Sequence, residues 1–229
     1  MQRKPVNADI QKAADQQAQH AAEVRGFVGQ EATHRRIHTL FNNHLEQQGL
    51  RNRWALSIEK QRKLFVGQDP RHALAVTAAN EHFTAMLAEW LLSHPEVLQG
   101  SEERLQTLWL WHSAEEAEHK NTAFDLYAAL GGNHHWRLVW FRRTTLAFLV
   151  DVTRQVLSNL YRDGSLYRPS TWASAWHTLF GPTGLVRHIW RPWWAYRRRD
   201  FHPNQQASNL SAQWLEHNRH RFTPVGETG

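Results

Sequence analysis

The stretch "WHSAEEAEHKNTAFDLY", residues 111–127, puts two imidazoles and two carboxylates where a helical pattern calls for apolar side chains. At about 100° per residue around a helix axis, taking His112 as zero places Glu116 near +40°, His119 near −20° and Glu115 near −60°. Leu105, Leu108, Ala123, Leu126 and Leu130 share that arc, so four ionisable groups interrupt one apolar stripe. Glu118 falls near −120°, toward solvent. Buried carboxylates are costly unless paired, protonated or bound to a metal. Such a face therefore needs a cation or a hydrogen-bond network. The Glu116-x-x-His119 spacing brings both heads to one ion, because residues three apart are helix neighbours.

A second copy lies in "FVGQEATHRRIHTLFN", residues 27–42. With Glu31 at zero, His34 falls near −60° and His38 near −20°, about the arc of Val24, Phe27, Phe41 and Leu45. A third segment, "AVTAANEHFTAMLAEWLL" (75–92), carries Glu81 among Leu74, Thr77, Ala78, Thr84, Ala85, Ala88 and Leu92, whose small members leave room for ions or a ligand. One Glu-x-x-His occurs by chance in many helices, and a lone His on a stripe is more often a hydrogen-bonded core residue. Two copies on apolar faces with a core-facing Glu between them match the dinuclear carboxylate site of ferritin-like bundles.

Around these segments the chain reads as all-α. Helical patterns cover 8–48, closing at Gly49 as a left-handed cap, then 54–66, 70–92, 101–130 and 134–162. Pro70 suits a first helical turn, and the Ser101 hydroxyl is placed to cap "SEER". After Leu166 the prolines permit only short helices, and the tail after Thr223 reads as disordered. The expected organisation is a helical bundle over 1–163 and a Trp/Arg-rich extension over 164–229 packed on it.

The 229 residues contain no cysteine. Disulfides, iron–sulfur clusters and thiolate zinc sites are excluded, so a metal must be held by His, Asp and Glu. That donor set favours iron or manganese, with zinc as a further candidate. No secretory signal pattern and no apolar run of membrane-spanning length is present, so a cytoplasmic protein is expected. The net charge of +6 is concentrated: residues 164–199 hold six Arg and no Asp or Glu.

At "FVGQEATHRRIHTLFN", "NEHFTAMLAEWLL" and "WHSAEEAEHKNTAFDLY", and more loosely at "DFHPN" (200–204), the sequence resembles the bacterial family of predicted metal-dependent hydrolases within the ferritin-like superfamily. The resemblance spans roughly residues 24–205 and implies Glu31, His34, Glu81, Glu116 and His119 as metal ligands, with His38, His112 and Glu115 close by. Members of that family usually begin with an earlier helix entered through a Phe-Pro-x-Gly-Glu-like stretch. Residues 1–23 hold nothing similar, so the bundle is expected to be N-terminally incomplete and to lack one carboxylate, for which Asp151 is a weak substitute.

A site of this kind, expected to hold two divalent transition metal ions, supports either Lewis-acid hydrolysis or dioxygen-dependent oxidation by iron or manganese. A non-catalytic metal-binding or degenerate scaffold is the third reading. Glu115 and His112 are the candidates for proton transfer, with orientation of a ligand His as the alternative for Glu115. The substrate is an unidentified small molecule. Trp172, Trp176, Trp190, Trp193 and Trp194, among Arg187, Arg191 and Arg197 to Arg199, read first as a cap over the bundle. Peripheral contact through 172–199 with the inner membrane surface comes second, and nucleic-acid binding last. Gln16, Gln17 and Gln19 on the polar N-terminal helix suggest pairing with a second copy.

Overall fold

The computed structural model describes residues 6–206 and 208–222, with side chains from residue 21 onward except that of Glu118. The side chains of Gln16, Gln17, Gln19 and Glu118 and the tail after Thr223 lie outside the described residues. The described chain is all-α. Its helices are α1 (Val6–Gln47), α2 (Trp54–Lys63), α3 (Pro70–Ser93), α4 (Glu103–Ala129), α5 (His134–Arg162), α6 (Pro169–Phe180), α7 (Leu185–Ala195) and α8 (Leu210–His217), with short 3₁₀ turns between some of them.

Local chemistry sets most boundaries. Asp69 accepts a hydrogen bond from the Arg71 amide and Pro70 occupies the first turn, so α3 starts there. Asn133 does the same for α5 through the Trp136 amide. Gly49, at φ +88°, supplies the left-handed turn after α1. The expected cap on α4 is corrected: the helix begins after Glu102 without a side-chain cap, and Ser101 offers its carbonyl to Gln106 Nε2 at 2.8 Å.

The centre of the fold is the α3–α4 pair. Ala75, Ala78, Ala79, Ala85 and Ala88 are all buried on α3, and residues this small permit close helix approach. Phe83, Met86, Phe124 and Phe141 complete the core from α3, α4 and α5. The C-terminal extension is part of this core. Tyr196 and Phe201 are buried within it, the Tyr196 ring stacking on Phe141 at 4.3 Å. Buried Arg137 fastens the segment further, donating to the carbonyls of Arg198 and Phe201.

Helix α1 lies along α4 at the margin of the bundle. Its expected core-facing residues Val24, Phe27, Phe41 and Leu45 are only half-buried, and Val28 and Leu40 are exposed. Peripheral as α1 is, its His34 is buried to 2 % exposure on the side that meets α4. No helix among the described residues is long and apolar enough to cross a membrane.

Candidate metal centre

The mid-points of α1 and α4 bring two Glu-x-x-His pairs face to face. Glu31, His34, Glu116 and His119 each offer one ligand atom, and these atoms lie within 4.8 Å of one another. The two histidines are arranged alike. His34 turns Nδ1 toward Glu116 Oε1 at 3.1 Å and Glu31 Oε1 at 3.3 Å, while its Nε2 donates to Glu115 Oε2 at 2.9 Å. His119 turns Nδ1 toward Glu31 Oε1 at 3.0 Å, while its Nε2 donates to Gln30 Oε1 at 2.9 Å. In both, one ring nitrogen is anchored outside the cluster and the other faces into it. Holding the outer N–H in this way is how proteins fix the tautomer and orientation of a metal-binding imidazole.

Glu81 of α3 is not one of the four grouped residues, yet it faces the same charges. Burial pushes its carboxyl up to about 8, and the negative charges of Glu116 and Glu31 push in the same direction. His112 is one step out, with Nε2 3.6 Å from Glu116 Oε1 and 3.2 Å from His38 Nε2. Burial, aided by the charge on His34, lowers its imidazole to about 4 against the pull of Glu116. Asp151 takes no part. Its carboxylate accepts from Ser57 at 2.7 Å and Gln61 at 3.4 Å, both on α2.

The donor set fits a cation. Glu81 Oε2 and His119 Nδ1 are buried polar atoms without a hydrogen-bond partner. Gln30 Oε1 can only accept, so His119 Nε2 carries a proton. Its Nδ1 and a Glu31 oxygen, 3.0 Å apart, then share a position that either a proton or a metal ion fills. His34 Nδ1, 3.3 Å from the same Glu31 oxygen, brings positive charge beside it: burial works against its protonation, but Glu115, Glu116 and Glu31 together raise it to about 11. Glu31, despite partial burial, is held at about 2 by the imidazoles of His119 and His34.

Aromatic rings wall the imidazoles: Phe27 stands edge-on to His119 at 5.2 Å and Trp111 to His34 at 5.7 Å. The side chain of Glu31 is 39 % exposed against 2 %, 10 % and 4 % for His34, Glu116 and His119, so the cluster opens on the Glu31 side. A cavity of about 480 Å³ has Thr33, Ile37, Leu108, Trp111 and Phe222 in its wall together with the charged Glu103, Arg104 and Arg221; none of the four clustered residues lines it, and Trp111 is the wall residue whose ring meets His34.

Gln30 was not legible as a site residue. It stands in the quoted stretch 27–42, next to Glu31, but outside the Glu-x-x-His pair, and only the packing of α1 against α4 brings it to His119, 89 positions away. "DFHPN" marks a packing feature: Phe201 and Pro203 are buried, and His202 Nε2 is 2.8 Å from Asp125 Oδ1.

The family model described as "Predicted metal-dependent hydrolase" matches residues 6–207. No curated protein and no solved structure matches the chain.

Proposed function

The chain belongs to the predicted metal-dependent hydrolase family, and from that premise we propose that it is a hydrolase with a divalent metal centre. In this reading Glu31, His34, Glu116 and His119 hold the metal and Glu81 adds a third carboxylate, giving donors enough for two ions of iron, manganese or zinc. The observation that carries the reading is the matched pair of histidines, each anchored through Nε2 and aimed inward through Nδ1. Ions held there supply Lewis acidity, which lowers the pKa of a coordinated water and polarises an ester, amide or phosphate oxygen.

The protein's own residues divide the remaining work. Glu115, bonded to His34 Nε2, orients that ring and strengthens it as a ligand. His112 keeps a neutral imidazole near neutral pH because burial depresses its basicity; it stands at the edge of the site, 3.6 Å from Glu116, as the candidate proton carrier, and it needs the added negative charge of a bound substrate to become an effective base. The exposed flank of Glu31 gives a small substrate a way in to the donor atoms.

Metal analysis of the purified protein and a Glu116→Ala variant tests the proposal. About two transition metal ions per chain in the wild type and fewer in the variant are expected, together with metal-dependent cleavage of ester, amide or phosphate test substrates. A chain that takes up no metal under any reconstitution overturns the reading and leaves a degenerate scaffold. The cysteine-free donor set of Glu and His also favours a second reading, dioxygen-dependent oxidation. Turnover that stops when oxygen is removed selects the second; turnover that continues selects hydrolysis.

A further inference from the structure

We propose that α6 and α7 form a docking surface for an anionic lipid bilayer. Helix α6 contains no Asp, Glu, Lys or Arg. Its Trp172, Trp176, Leu179 and Phe180 are 50 %, 68 %, 37 % and 46 % exposed. Spaced four, three and one apart, they lie along one side of the helix. In α7, which packs against α6, Ile189 and Trp193 turn to the core while Trp190 and Trp194, four residues apart, are 57 % and 51 % exposed. A run of uncovered large aromatic side chains on consecutive helices is unlike the scattered apolar residues of an ordinary surface.

Charge specifies the partner. Residues 164–199 carry six Arg and no acidic residue. Exposed Arg187 and Arg191 have no ion-pair partner among the described residues, and the Arg197 guanidinium lies 4.3 Å over the Trp194 ring. Trp prefers the headgroup level of a bilayer, and Arg beside it meets anionic headgroups. A second copy of the chain fits poorly, since a two-fold contact through this surface would set the arginines of one protomer against those of the other. A nucleic-acid strand also fits poorly. Its phosphates need cations along the aromatic platform, and the aromatic stripe of α6 has none. An uncharged apolar helix beside a basic one matches an interface with hydrocarbon on one side and anionic headgroups on the other.

The test is co-sedimentation of the full chain with phosphatidylcholine vesicles, with and without phosphatidylglycerol, and with brominated acyl chains as fluorescence quenchers. Sedimentation with the anionic vesicles, weakened by salt, and quenching of Trp emission are expected. Combined substitution W172A/W176A/W190A/W194A should lower binding at least about tenfold, and R187E/R191E should abolish the preference for phosphatidylglycerol. Both variants should keep the wild-type circular dichroism, because the altered side chains are exposed. No sedimentation with anionic vesicles at low salt overturns the proposal, as does unchanged binding by both variants. Binding of a single-stranded oligonucleotide without vesicle binding reassigns the surface to nucleic acid. A dimer dispersed by the Trp substitutions, again without vesicle binding, reassigns it to a second copy.

Discussion

His34 Nε2 lies 2.9 Å from Glu115 Oε2 while the opposite nitrogen of the same ring lies 3.1 Å from Glu116. Without a metal, both nitrogens of this buried ring serve carboxylates, which requires the doubly protonated imidazolium. The cluster therefore holds its negative charges together with a proton, and a metal ion competes with that proton for the Nδ1 lone pair.

The metal-free protein should accordingly be most stable near pH 6.5. The His34 pKa is raised from 6.5 to about 11, so its contribution is complete below 6.5 and fades as pH rises toward 11. Glu81 is raised from 4.5 to about 8 by burial and its acidic neighbours, so it too loses stability as pH rises through 8. On the acid side burial lowers His112 and His82 to about 4, so both favour folding more as pH rises from there to 6.5. Glu31, lowered to about 2, adds to the loss below 4.5. Chelated protein unfolded in urea at a series of pH values should show its steepest alkaline decline between 6.5 and 8, where His34 and Glu81 act together. Glu81→Gln should roughly halve that slope, in proportion to the protons involved. An unchanged slope would remove Glu81 from the charged cluster.

Gln30 is expected to act on metal affinity through His119. Its carbonyl oxygen fixes the Nε2 proton and so keeps the Nδ1 lone pair on the cluster. Gln30→Ala should weaken metal binding on the order of 10- to 100-fold, the usual cost of losing an outer partner of a ligand imidazole. Gln30→Glu, which keeps an acceptor at that place, should restore it. Competition titration against a chromophoric chelator reads both; equal loss in the two variants would mean that the side chain only packs.

The helices and the cluster were legible in the sequence for different reasons. Helix boundaries followed from short-range chemistry, such as Asp69-Pro70 and Gly49, which acts within a few residues. The pairs Glu31/His34 and Glu116/His119 stood out because charges on an apolar stripe need compensation. What depended on packing was hidden. The exposure of Val28 and Leu40 follows from α1 lying at the margin, and the burial of Tyr196 and Phe201 follows from the chain folding back onto α3 and α5. Tyr196 and Phe201 lie past the end of α7, where no helical period flags them, and the period of α1 does not say that the helix packs mainly on one neighbour. Ser101 shows that even a good capping residue yields when the helix begins one residue later.

The α4–α5 turn should resist any side chain at Gly132. A Cβ there would stand 2.4 Å from the Tyr127 ring, which is 3 % exposed and held by its hydroxyl to the Asn133 carbonyl at 2.9 Å. The ring cannot swing aside without losing that bond. Gly132→Ala should cost ~1–3 kcal/mol by overpacking, read as a lower urea midpoint. Adding Tyr127→Phe, which releases the ring, should recover part of the loss; a neutral Gly132→Ala would place the ring elsewhere.

Tyr196 combines a well-packed ring with a misplaced oxygen. The side chain is fully buried, the ring stacks on Phe141, and Arg137 lies 5.2 Å from its centroid, yet the hydroxyl has no hydrogen-bond partner. Burial raises the phenol above its ordinary pKa, so the group stays neutral and simply forgoes water. Removing an unsatisfied buried hydroxyl while keeping the ring is favourable, so Tyr196→Phe should be neutral or stabilising by about 1 kcal/mol. Tyr196→Ala removes the ring from between Phe141 and Phe201 and should cost ~3–5 kcal/mol. The contrast separates shape from polarity at one position, because Tyr196→Phe changes only the oxygen. A clear destabilisation by Tyr196→Phe in urea unfolding would show that the hydroxyl is satisfied after all, and the packing account of the C-terminal segment would have to include that bond.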